Sequence, residues 1–134
     1  MKQTVLIADR DPCFCDLYQR FLTLHGYHVE TSLDVPDCLQ KLRRLEPAVL
    51  VLGQELHSRR TDGVLARLRD EGLIPGIPVL LMDTAGDVQD IEEFIGLPDV
   101  DYLPKCFSLT VLLEKVRFAA AKQGRREPLD LNRV

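Results

Sequence analysis

Acids and bases cluster directly behind the short apolar runs of this chain. Val5-Leu6-Ile7-Ala8 is followed by Asp9, Arg10 and Asp11, and Ala48-Val49-Leu50-Val51-Leu52 by Gly53, Gln54 and Glu55. Ile77-Pro78-Val79-Leu80-Leu81-Met82 leads into Asp83 and Thr84, and Val100-Asp101-Tyr102-Leu103 into Lys105 and Cys106. Converging carboxylates either hold a divalent cation through oxygen ligands or neutralise nearby cations, here Arg10 and Lys105. Cys13 and Cys15 fall in the first turn of an expected helix, where the dipole lowers a thiol pKa, and Cys106 falls on the same edge. The glycine patterns of dinucleotide and P-loop sites are absent. The first loop has no glycine and carries carboxylates, a poor cradle for a flavin or nucleotide phosphate. No Ser-His-Asp arrangement stands out, Cys-x-Cys lacks the spacing and second pair of a zinc site, and His25 and His28 flank Gly26-Tyr27 as surface residues.

The elements that must position these groups follow from periodicity. With 134 residues, 46% hydrophobic and 28% charged, the chain is long enough for one domain with a core of its own. A net charge of −4 argues against non-specific nucleic-acid binding, and the absence of Trp argues against a single-strand stacking platform. The basic clusters Lys41/Arg43/Arg44, Arg59/Arg60 and Arg125/Arg126 are read as solvated faces or tail. The apolar run after Met1-Lys2-Gln3-Thr4 is too short for a signal peptide or a membrane span. The expectation is a cytoplasmic protein with reduced thiols and no membrane association. Five apolar runs alternate with stretches of helical period. Phe14, Leu17, Tyr18 and Phe21 define the expected inner face of the first helix, which Gly26 stops. Val35, Cys38, Leu39 and Leu42 mark the second helix, with Ser32 or Asp34 as its cap. A polar loop over His57–Asp62 leads to a helix at Val64, Leu65 and Leu68, and another helix carries Val88, Ile91 and Phe94. A last helix, capped by Ser108, buries Leu109, Leu112, Leu113 and Val116; a polar tail follows from Gln123. This α/β alternation implies a parallel five-stranded sheet with right-handed crossovers and helices on both faces. In such a sheet, ligands bind beyond the carboxyl ends of the strands.

At those strand ends the chain resembles a known family. Val5-Leu6-Ile7-Ala8-Asp9-Arg10-Asp11-Pro12, Gly26-Tyr27-His28-Val29, Pro47-Ala48-Val49-Leu50-Val51-Leu52, Ile77-Pro78-Val79 and Asp101-Tyr102-Leu103-Pro104-Lys105-Cys106-Phe107 follow the pattern of response-regulator receiver domains. The resemblance implies a CheY-like, flavodoxin-like (β/α)5 three-layer sandwich of strand order 2-1-3-4-5, with residues 1–122 as the receiver-like domain and 123–134 as the tail. It also implies phosphoryl transfer from a histidine kinase to an aspartate ending the third strand, with two acids of the first strand holding Mg²⁺. A Thr or Ser ending the fourth strand and a Lys ending the fifth contact the phosphoryl oxygens. An aromatic on the fifth strand switches the surface of the last helices.

Carried over residue by residue, the departures outweigh the matches. Asp9, Lys105 and Tyr102 agree. The phosphoacceptor position is Gly53, the second metal acid is Arg10, the Thr or Ser position is Asp83 (with Thr84 next to it), and Cys106 replaces a proline. The loop from His57 to Asp62 is about two residues longer than the family pattern. The expectation is a degenerate receiver (a pseudo-receiver) that is not phosphorylated, is not an enzyme and acts by protein–protein interaction. Its pocket of Asp9, Arg10, Asp11, Gly53, Glu55, Asp83, Thr84 and Lys105 would be neutralised by internal ion pairs, with Arg10 buried among them. Expected partners are a histidine kinase or an output protein, or a second copy through the last helix-strand-helix face around Tyr102. No cofactor is expected; a residual Mg²⁺ site would need Asp9, Asp11 and Glu55. The alternatives are a small-ligand or thiol redox sensor using Cys13, Cys15 and Cys106, and a receiver phosphorylated at another carboxylate such as Glu55. A chain of this length is expected to carry no DNA-binding output domain after the receiver.

Overall fold

A computed structural model describes residues 2–53, 55–56, 59–73, 76–82, 99–103 and 107–126. The elements are β1 (Thr4–Ala8), α1 (Pro12–Leu24), β2 (His28–Ser32), α2 (Val35–Leu45), β3 (Val49–Leu52), β4 (Glu55–Leu56), β5 (Arg59–Arg60), α3 (Thr61–Asp70), β6 (Val79–Met82), β7 (Val100–Leu103) and α4 (Leu109–Arg126). The main sheet has the order β2-β1-β3-β6-β7, all parallel, which is the expected 2-1-3-4-5 when its five strands are counted alone. The expected helix around Val88, Ile91 and Phe94 lies outside the described residues.

Period-two alternation in the strands sorts the core into two layers. Leu6, Ala8, Leu50, Leu52, Val79 and Leu81 point to one face, where α2 and α3 cover them with Val35, Cys38, Leu39, Leu42, Leu65 and Leu68. Val5, Ile7, Val49, Val51, Leu80 and Met82 point to the other, under Tyr18 and Leu22 of α1 and Leu112, Val116 and Ala120 of α4. Central strands buried on both faces need apolar residues at every position, which is why β3 reads Val-Leu-Val-Leu without a break.

Helix ends follow local chemistry. Asp11 caps α1 and Pro12 opens it, where a missing N–H costs nothing. Of the two cap candidates for α2, Asp34 fills the role by accepting from the Asp37 amide at 2.9 Å. At the other end of α2, Glu46 takes the left-handed conformation (φ 46°, ψ 60°), the only non-glycine residue to do so among those described. This is the place where glycine is normally favoured, because a Cβ there crowds the following carbonyl. Glu46 is exposed. Glu46→Gly is therefore expected to stabilise the fold by about 1 kcal/mol, read as a higher urea midpoint at constant slope; an unchanged or lower midpoint would contradict it.

Three local expectations need correction. The inner face of α1 is Cys15, Tyr18 and Leu22, with Phe14 and Phe21 half-buried, while Leu17 is 52% exposed. Within the polar loop expected over His57–Asp62, Arg59–Arg60 pairs antiparallel with Glu55–Leu56, and α3 already begins at Thr61. The last helix also runs on through Gln123 to Arg126, and its Leu109 is 36% exposed.

Candidate functional site

The parallel ladder continues one residue beyond β1 and β3, and this extension builds the site. The Asp9 amide donates to the Ser32 carbonyl at 3.0 Å, and the Gly53 amide donates to the Ala8 carbonyl at 2.8 Å. Asp9 and Gly53 are thereby locked side by side at the carboxyl edge of the sheet, both buried. The Asp9 carboxylate lies over the Cα of Gly53. A Cβ placed on Gly53 would overlap Asp9 Oδ2 and stand 2.5 Å from its Cγ and 2.9 Å from its own Cβ. Asp9 Oδ1 is held by the Asp11 amide at 2.8 Å.

The remaining candidates are arranged differently from the sequence expectation. Asp11 turns its carboxylate to the start of α1, where Oδ1 accepts from the amides of Cys13 (2.9 Å) and Phe14 (3.3 Å). Arg10 is exposed. The expected burial of Arg10 therefore does not hold, while its expected partners Asp83 and the Glu55 side chain lie outside the described residues. Glu55 sits in β4, two residues past Gly53. Asp83, Thr84, Lys105 and Cys106 lie outside the described residues. Tyr102 on β7 is half-buried against the α2–α3 layer of the core.

Beside it, β7 and α4 form a mixed surface in which Lys115 reaches Asp101 at 3.2 Å and Lys122 lies 5.6 Å from the ring centre of Phe118, itself 60% exposed. On the α2 side, the exposed Arg43 pairs with Glu71, and Arg44 lies 3.6 Å from Glu30, as a solvated basic face would.

The thiols also depart from expectation. Cys15 faces the sheet rather than the helix terminus, with its Sγ donating to the Asp9 carbonyl at 3.5 Å. Burial, and then the Asp9 charge, push its pKa up to about 11, opposite to the lowering expected from the helix dipole. Burial likewise pushes Cys38 up to about 12. Cys13 is the exposed thiol of the three described.

One polar cluster was not singled out from the sequence. Ser32, buried at the end of β2, donates to Asp37 Oδ2 at 2.5 Å, and Lys41 bridges Asp37 (3.1 Å) to the Thr31 carbonyl (2.6 Å). The Ser32 hydrogen bond, ahead of Lys41, lowers the Asp37 pKa below the ordinary carboxylate value. The signal available was a serine closing a strand five residues ahead of an acid in the next helix.

The donors among the described residues do not by themselves fit a magnesium ion. Such an ion needs several oxygens converging in near-octahedral geometry. Here Asp9 leans onto Gly53, Asp11 serves a helix cap, and the neighbouring position is a cation. Among the described residues, no three His, Cys, Asp or Glu side chains converge as metal ligands would.

Comparison with known proteins bears on this arrangement. The family model of the response regulator receiver domain matches residues 5–117. The DNA-binding dual master transcriptional regulator RpaA of Synechocystis is 34% identical over 124 residues, covering 90% of this chain and 50% of its own length. The response regulator MprA of Mycobacterium leprae is 31% identical over 115 residues, covering 84% of this chain and 49% of its own. The chain thus spans about half the length of these curated relatives. In fold, it is similar to a CheY-like receiver domain protein from Methanospirillum hungatei (TM-score 0.80, 20% identity, 94% of this chain and 99% of that one). It is equally similar to the signal receiver domain of an HD domain-containing protein from Pseudomonas fluorescens (TM-score 0.80, 23% identity, 96% and 94%).

Proposed function

Because the chain belongs to the family of response regulator receiver domains, we propose that it is a pseudo-receiver: a signalling module of a two-component pathway that is not phosphorylated and acts through protein contacts. One observation carries this reading. Gly53 occupies the phosphoacceptor position, and its side-chain space is taken by the Asp9 carboxylate. Glycine offers no oxygen to form an acyl phosphate. The arrangement around Asp9, Arg10 and Asp11 does not supply the metal that would shield an incoming phosphoryl group. The protein therefore works without a cofactor, in the cytoplasm, and away from nucleic acid and membrane. Among the described residues no helix is long and apolar enough to cross a membrane.

Its partners are proteins of the pathway, a histidine kinase or an output protein. The contact surface is the β7–α4 face beside Tyr102, which carries the Lys115–Asp101 pair and the exposed Phe118 ring with Lys122 near it. A second copy docking through the same face makes a homodimer.

The test is direct. The full chain is incubated with phosphoramidate and Mg²⁺ and weighed intact. The expected result is an unchanged mass under conditions that fully modify an ordinary receiver. A covalent phosphate adduct on Glu55 or any other carboxylate overturns the reading.

A further inference from the structure

We infer that Asp9 is an internal plug for the emptied acceptor position, an autoinhibitory contact that closes the pocket from within. The inference rests on the pseudo-receiver reading and explains what keeps the site in one state. Gly53 does not have the left-handed backbone that would by itself demand glycine, so the constraint at this position is space. The occupant of that space is Asp9, and three bonds fix it there. Its amide is tied to β2 through the Ser32 carbonyl, and its Oδ1 is tied to the start of α1 through the Asp11 amide. Gly53, in turn, is tied to β1 through the Ala8 carbonyl. Neither backbone can retreat without breaking the sheet ladder. A side chain at 53 and the present Asp9 conformation therefore exclude each other, and moving Asp9 aside breaks its 2.8 Å bond to the Asp11 amide.

The contact couples two ends of the fold. Asp11 is also the cap of α1, so any displacement of Asp9 by position 53 is felt at the first turn of that helix.

The experiment is a stability cycle on the full chain with Gly53→Ala introduced into wild type, Asp9→Asn and Asp9→Ala. Urea titration and the Asp11 amide resonance are the two readouts. In wild type and in the isosteric Asp9→Asn, overpacking should lower the folding equilibrium constant by about 5- to 100-fold. With Asp9 shortened to alanine, the overlap with the carboxylate is gone and only the 2.9 Å approach of the two Cβ atoms remains, so the same substitution should cost at least about 5-fold less than in wild type. Gly53→Ala alone should also move the Asp11 amide resonance.

Equal losses in all three backgrounds overturn the plug. If Asp9→Ala does not fold, an Asp11 resonance unmoved by Gly53→Ala overturns it on its own. A phosphate adduct on the wild-type chain would instead overturn the pseudo-receiver reading while leaving the cycle standing, so the two failures are distinguishable.

Discussion

In the folded protein at pH 8, Cys13 is expected to react with an aromatic disulfide reagent at the rate of a solvent-exposed thiol, while Cys15 and Cys38 react at least about 100-fold more slowly. The attacking species is the thiolate. A thiol of ordinary pKa is about one-quarter ionised at this pH. Cys15, with its pKa pushed to about 11, is ionised to about one part in a thousand, and Cys38, at about 12, to about one in ten thousand. Access works in the same direction, since Cys15 is 3% exposed and Cys38 is 1% exposed. Urea should bring both to the rate of Cys13. Rapid labelling followed by peptide mapping checks this, and modification of Cys15 or Cys38 as fast as Cys13 would contradict the structure. The same result bears on the rival thiol-sensor function. A redox pair built on Cys15 requires a depressed pKa, whereas this thiol faces an apolar core and sits beside the Asp9 charge.

Leu22→Ala is expected to cost about 2–5 kcal/mol of stability, while Leu17→Ala changes it by less than about 0.5 kcal/mol. The two leucines lie on the same helix and differ only in what they face. Leu22 has no exposed surface and packs in the layer containing Val5, Ile7, Val29 and Val49. Truncating it removes buried methylenes and leaves a cavity between helix and sheet. Leu17 is 52% exposed, so alanine there gives up little burial and improves helix propensity slightly. Chemical denaturation of both variants separates them. Comparable losses would mean that α1 presents the 14-17-18-21 stripe to the sheet after all.

That pair of leucines marks the boundary of what spacing can reveal. Phe14, Cys15, Leu17, Tyr18, Phe21, Leu22 and Leu24 surround most of α1, so periodicity supports two neighbouring stripes. The choice between them depends on how the helix is rotated over the sheet, which local sequence does not encode. The hairpin of Glu55–Leu56 with Arg59–Arg60 was invisible for a related reason. Its turn lacks the Asn-Gly or Asp-Gly chemistry that makes a hairpin readable. The helical continuation to Arg126 went unread because a polar last turn carries no apolar period.

The order of the five main-sheet strands and the presence of helices on both faces were legible, because they follow from alternation, from uninterrupted burial in β3 and from punctuation by Asp11-Pro12, Gly26 and Pro47. That position 53 carries no side chain was legible too, since it is a statement about composition at one position. Tertiary structure decided what Asp9 does, while Asp11 and Arg10 beside it meet different fates. All three are charged residues at one strand end, alike in any pattern. One is drawn into the space beside a side-chain-free neighbour, one satisfies orphan amides of α1, and one is exposed. The fate of Asp9 depends on the distance between segments more than forty residues apart, fixed only once β1 and β3 are paired, whereas Asp11 accepts from amides two and three residues ahead of it.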